Sequence, residues 1–67
     1  MMAEDTALKL AVIYFIGHAY SAFIEDHIYG GDEEWLSIVK ERVQALMPFI
    51  EKNKLSCLTD AERILKL

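Results

Sequence analysis

The sequence contains one cysteine, Cys57, and two histidines among its 67 residues. A single cysteine excludes an intrachain disulfide, and three such side chains fall short of the four ligands of an ordinary structural zinc site. A domain of this size buries only about 60% of the surface that its unfolded chain exposes, so a solitary core is marginal. Because no cross-link is at hand, the sequence predicts stabilisation by oligomerisation.

Basic residues are also scarce, with 7 Lys and Arg against 11 Asp and Glu and a formal net charge of −4. Binding to a phosphate backbone needs a basic stripe, and the sequence shows none, so direct nucleic-acid binding is disfavoured. An acidic chain is better suited to a basic patch on a protein partner.

Residues 10–24 contain no Lys, Arg, Asp or Glu. The run is about 15 residues long, shorter than the roughly 20 that a membrane helix needs. A signal peptide would have Lys or Arg before the run, whereas Glu4 and Asp5 precede it here. We therefore expect a buried helix and no membrane contact, and the unpaired cysteine favours a cytoplasmic location.

The spacing of apolar and capping residues predicts an all-α fold in one domain that occupies residues 1–67. A first helix is expected over about residues 6–29, where a pair of glycines would end it. Asp32 is expected to cap a second helix over about residues 32–52. The two would form an antiparallel hairpin.

Pro48 lies inside the second helix and is expected to kink it, the alternative being a restart of the helix just beyond. A short third helix is predicted over about residues 59–67. Its start would be a capping box formed by Thr59 and Glu62.

The first helix is apolar nearly all round, and the second has an apolar arc of about 200°. Pairing as a hairpin covers one stripe on each, and the third helix can cover about a third of their length. The uncovered stripes predict that two hairpins close as a four-helix bundle in a homodimer.

Candidate contacts with a partner are side chains of the kinds enriched in interface hot spots, which also fill cores. They are Ile13, Tyr20, Phe23, Ile24, Trp35, Ile38, Arg42 and Phe49. Arg42 has apolar neighbours on its helix face, so we expect it to pair with a carboxylate. The candidates are Glu25 and Asp26, of the same chain or of its mate.

Five carboxylates lie near the connection between the first two helices, and we call them the acidic turn. They are Glu25, Asp26, Asp32, Glu33 and Glu34. The set is a candidate docking patch for a basic partner, and the alternative is ordinary capping at a solvated helix end. The ligand pattern of a calcium loop is missing, so no metal is predicted.

Gly17 has two interpretations. With Ser21 it could let another helix approach closely, or it could make room for a large side chain of the second helix. Cys57 is expected to be a small hydrophobe rather than a reactive thiol. No nucleophile has a recognisable activating partner, so neither an enzyme nor a cofactor is predicted.

The sequence thus favours a protein-binding homodimeric module, acting as a regulator, adaptor or inhibitor through its leftover apolar stripes. One alternative is a helical dimer that binds a small ligand in its interior. Another is a regulator linked to nucleic acid through a protein partner. An interior cavity on the order of several hundred Å³ would favour a ligand, whereas a solid core beside an exposed apolar groove would favour protein docking.

Overall fold

The structure is a computed structural model that describes residues 4–28 and 31–67. Helix α1 spans Glu4–Tyr20 and continues as a π-helical segment over Ser21–Glu25, α2 spans Glu33–Lys52, and α3 spans Leu58–Leu65. No strand occurs in these two described ranges, and the predicted all-α class with three helices is confirmed.

The first helix ends before the glycine pair. In its π-helical last turn, the backbone N–H of Asp26 donates to the carbonyl oxygen of Ser21 at 2.7 Å. The hydroxyl of Ser21 also donates to the carboxylate of Asp26 at 2.9 Å. His27 then takes a φ of 53°, a left-handed conformation that a right-handed helix cannot include. The expected end, at Tyr29 and Gly30, lies outside the described residues.

Helix α2 is capped at both ends by side chains. The carboxylate of Asp32 accepts from the backbone N–H of Trp35 at 2.9 Å, the capping role expected of it. At the other end, the amide of Asn53 donates to the carbonyl oxygen of Phe49 at 2.9 Å. The first bond satisfies a backbone N–H that has no partner within the helix. The second adds to the bond that the same carbonyl accepts from the backbone N–H of Asn53 at 3.1 Å.

Pro48 lies inside α2 without ending it, and its side chain is exposed. The helix continues unbroken to Lys52, so it does not restart beyond the proline. Proline removes one backbone donor at this point, and a solvent-facing position lets water satisfy the carbonyl one turn back.

Helix α3 begins one residue earlier than predicted, at Leu58. Its N-cap position is Cys57, which makes no side-chain capping bond, and the carbonyl of Cys57 accepts from the backbone N–H of Ala61 at 2.9 Å. Thr59 consequently lies within the helix, and the predicted capping box with Glu62 is wrong.

One hydrophobic core joins the three helices. Its buried members are Val12, Ile16, Ala19, Phe23, Val39, Val43, Met47, Ile50, Leu55, Cys57, Ala61 and Ile64. Helix α3 packs against both α1 and α2, more extensively than these two pack against each other. The molecule is elongated, with extents of 40 × 22 × 18 Å.

Helix α1 buries only a narrow stripe of its surface. The buried positions recur every three or four residues, as one face of a helix does. Outside that stripe, Leu8 is 53% exposed and Tyr14 is 65% exposed. A single chain therefore leaves apolar surface of α1 uncovered, and burial of that surface by a partner stays a prediction.

Replacing Val43 tests the core. Its side chain is 0% exposed, so Val43→Asp buries a carboxylate without a partner and should lower the free energy of unfolding by at least about 3 kcal/mol. The exposed neighbour supplies the control, because Gln44→Asp should change it by less than about 0.5 kcal/mol. Urea unfolding followed by circular dichroism measures both, and equal effects would contradict the assigned packing.

Replacing Asp32 tests the N-cap. Asp32→Ala removes the acceptor for the backbone N–H of Trp35 and should lower the free energy of unfolding by about 1 kcal/mol. Asp32→Asn retains a capping oxygen and should retain most of the stability. A loss as large in the asparagine variant as in the alanine variant would show that capping is not the reason.

Candidate interaction surface

An open groove of about 390 Å³ lies between α1 and α2. Phe15 of α1 lines one side, and Arg42, Ala45 and Leu46 of α2 line the other. We call this feature the α1–α2 groove. Apart from the Arg42 guanidinium, these side chains offer only carbon to whatever lies in it.

A smaller hollow of about 180 Å³ continues the groove toward the π-helical segment. Phe15 lines both hollows, and His18, Ala22 and Trp35 also line the second. Early residues of α2 thus lie opposite late residues of α1, which is the antiparallel arrangement of a hairpin. Together the two hollows extend along α2 from Trp35 to Leu46, about 16 Å at 1.5 Å per residue.

The other flank of α1 is covered by α3. The guanidinium of Arg63 donates to the hydroxyl of Tyr20 at 2.9 Å. Ile13, Tyr20 and Ile24 are half-buried and pack against the core. At about 100° per residue, Ile13 and Tyr20 lie on the opposite side of the buried stripe from Phe15. Helix α1 therefore has one flank covered within the chain and one that faces the groove.

The structure does not gather the eight candidate contact residues at one place. Ile13, Tyr20 and Ile24 lie on the α3 flank of α1, Phe23 is in the core, and Trp35, Ile38, Arg42 and Phe49 share one flank of α2 by helical spacing. Phe23 is 5% exposed, so it contributes to the chain's own core and offers no surface to a partner.

Three of the four residues that line the α1–α2 groove were not among the candidate contacts selected from the sequence, namely Phe15, Ala45 and Leu46. Phe15 recurs with Ala11 and Ala22 at helical spacing. Because the two alanines are small, this stripe gave a weaker hydrophobic signal than the stripes of α1 that consist of larger apolar residues. The signal was an aromatic side chain with an alanine on either side at helical spacing, and one of these, Ala22, lines the smaller hollow beside the ring.

Arg42 is exposed and forms no ion pair within the described ranges 4–28 and 31–67, where the ion pair present joins Lys9 to Asp5 at 3.0 Å. The expectation that it meets Glu25 or Asp26 of its own chain is wrong, because Arg42 lies about ten residues into α2, roughly 15 Å from the turn. Pairing with a carboxylate of a mate stays a prediction.

All five carboxylates of the acidic turn are exposed. Asp32 caps α2, and Asp26 accepts the hydrogen bond from Ser21, so two of them also have local structural roles. Within the part of the chain that is described, no three His, Cys, Asp or Glu side chains are placed to hold a metal ion. The acidic turn is a solvated, strongly negative end of the hairpin.

The structure contradicts one interpretation of Gly17 and agrees with the expectation for Cys57. A Cβ built on Gly17 would meet nothing within 4 Å, so the idea that this glycine makes room for a side chain of α2 is wrong. Close approach of another helix at Gly17 stays a prediction. Cys57 is 4% exposed and belongs to the core, as expected of a small hydrophobe. Burial raises the pKa of its thiol.

The continuous helix Glu4–Glu25 is, by length and composition, apolar enough to cross a membrane, and 22% of its most apolar stretch is buried. The core helix of a soluble protein, which is mostly buried, and a signal sequence have the same length and composition. Acidic residues lie at both of its ends, namely Glu4 and Asp5 in its first turn and Glu25 and Asp26 at its close.

Comparisons with protein-family models, with curated proteins and with solved structures find no match to this chain.

The buried thiol predicts a pH dependence of stability. The folded state holds the proton of Cys57 more tightly than the unfolded chain does, since burial raises the thiol pKa above its ordinary value of 9.0. Its contribution is fully present below pH 9.0 and is lost as the pH rises from there toward the folded-state pKa.

Urea unfolding of the wild type and of Cys57→Ala, repeated from about pH 7 to about pH 10, isolates this contribution. The stability difference between the two proteins should shift in favour of the alanine variant in the upper part of that range. A difference that stays constant with pH would contradict the linkage.

Proposed function

We propose that this chain is a small acidic helical module that acts as a homo-oligomer and binds another protein, in the role of a regulator, adaptor or inhibitor. The observation that carries the proposal is the apolar α1–α2 groove, which stays open after α3 has covered the other flank of α1. Exposed apolar surface of this kind supports the proposal, because contiguous apolar patches are a feature of protein interaction sites.

The energetics support a protein partner. Leu8, Tyr14, Trp35 and Ile38 are between 37% and 65% exposed. Covering the exposed part of one such side chain contributes on the order of 1 kcal/mol. Four together approach the lower end of the total stability of a domain, about 5 kcal/mol, so association makes a large difference to a chain of this size.

The form of the groove favours docking over a ligand enclosed in the bundle. Four large side chains at the core centre, Ile16, Val43, Ile50 and Ile64, are fully buried, and the groove is open along one side. A small-ligand-binding dimer remains the alternative. The acidic charge continues to argue against direct contact with nucleic acid.

Location and chemistry follow from the same features. We place the module in the cytoplasm, because a buried unpaired thiol suits a reducing compartment. We assign it no catalytic role, cofactor or membrane contact. The acidic turn would orient a basic protein partner, since its carboxylates are exposed and concentrated at one end of the hairpin.

Sedimentation equilibrium tests the proposal. At about 100 µM the protein should sediment at twice its 7.7 kDa chain mass or more, because the uncovered apolar surface drives association. Dilution should shift the mass toward the monomer. A stably folded 7.7 kDa monomer across the whole concentration range would contradict the homo-oligomer.

A further inference from the structure

We propose that the α1–α2 groove is covered by the same groove of a second copy of this chain, with the two acidic turns at opposite ends of the resulting four-helix bundle. The inference rests on the homo-oligomer proposed above and adds the face through which it forms and the orientation of the two copies.

The size of the groove face matches what a stable dimer needs. The molecule measures 40 × 22 Å along its two longer axes, so the projected area of a face in that plane is at most about 880 Å². A stable interface of standard size buries about 800 Å² on each partner. A face-to-face contact therefore has to extend over most of the length of α1 and α2, and a contact confined to one end is too small.

Twofold symmetry allows two such arrangements. If the axis runs along the helices, α1 of one copy lies over α2 of the other and both acidic turns meet at one end. If the axis runs across the helices, each helix lies antiparallel to its own copy and the turns lie at opposite ends. Neighbouring helices are antiparallel in both, so helix dipoles do not choose between the two.

Charge does choose. The acidic turn holds 5 of the 11 acidic residues. The rest of the chain has the remaining six together with all 7 Lys and Arg residues, so its charge is nearly balanced. The first arrangement would bring ten carboxylates together at one end. The second places each acidic turn beside the far end of the other copy, where Glu4, Asp5 and Glu51 are balanced by Lys9, Lys52 and Lys54. Repulsion between the two acidic turns therefore disfavours the first arrangement and is absent from the second.

The side chains near the middle of α2 fit the second arrangement, in which the twofold axis runs across the helices. Arg42 and Ala45 are one turn apart on the groove flank. An axis that passes between them lays the aliphatic stem of Arg42 over Ala45 of the second copy, so a large side chain meets a small one on both sides of the axis. The guanidinium groups then point away from the axis.

The groove suits a second copy better than a basic peptide or a lipid surface. Its one charged lining residue, Arg42, is a cation and would repel a basic segment. The acidic residues at both ends of Glu4–Glu25 would repel an anionic membrane. A second copy brings an apolar face of the same kind and carboxylates at its ends.

A pair of adjacent substitutions tests the face. Ala45→Arg places a second cation in the groove opposite Arg42 of the other copy and should raise the dimer dissociation constant at least about tenfold. Gln44→Arg adds the same charge on the neighbouring exposed position outside the groove and should change it less than about twofold. Sedimentation gives the constants, and circular dichroism checks that both variants fold.

Spin labels test the orientation, in a Cys57→Ala background that keeps the native thiol out of the reaction. With labels at Glu34→Cys, pulsed dipolar spectroscopy should give about 30 Å between copies, since each label lies about nine residues from the axis. Moving the label to Ser37→Cys should shorten the distance by about 9 Å, because each label moves three residues toward the axis.

The outcomes separate this inference from the proposed function. A monomer at all concentrations overturns both. A dimer that Ala45→Arg and Gln44→Arg weaken equally leaves the homo-oligomer standing and overturns the groove as its face. Label distances below about 20 Å that do not change between Glu34→Cys and Ser37→Cys overturn the orientation, because they place the acidic turns side by side.

Discussion

The structure depends on one constraint, which is that a single short helix has to cover the apolar surface of two long ones. Helix α3 has 8 residues, about 12 Å of length, whereas α1 and α2 have 17 and 20. It packs where it can contact both, so the deepest core lies at the junction of the three helices. Everything on the far side of α1 and α2 is then beyond its reach, and that side is the groove.

Local features of the fold could be predicted to the extent that they depend on neighbouring residues. The cap of α2 by Asp32 needs only a carboxylate three residues before a backbone N–H, and the structure has that bond. The end of the first helix could not be read in this way. It depends on a π-helical turn and on the left-handed backbone of His27, for which no glycine or proline gave a signal.

The candidate surface likewise has a part that local sequence predicts and a part that depends on how the helices pack. The flank of α2 with Trp35 and Arg42 follows from helical periodicity alone, which the sequence supplies directly. Whether Phe23 meets the core or a partner depends on which side of α1 receives α3, and periodicity cannot answer that. Phe15 shows the converse, because its ring becomes prominent only once α3 has taken the opposite flank and left the groove beside it.

The proposed homodimer would need a second kind of surface to bind another protein as well, and the groove and the acidic turn are two such separate surfaces. The groove is apolar, which suits a lasting contact with a second copy, because its burial removes apolar surface from water. The acidic turn is charged and exposed, which suits a reversible contact whose rate and orientation electrostatics control. If the groove is buried against a second copy, the acidic turns remain accessible at the two ends of the bundle. The dimer then presents two identical docking patches, so a basic partner with two matching sites would bind more tightly than a single turn allows.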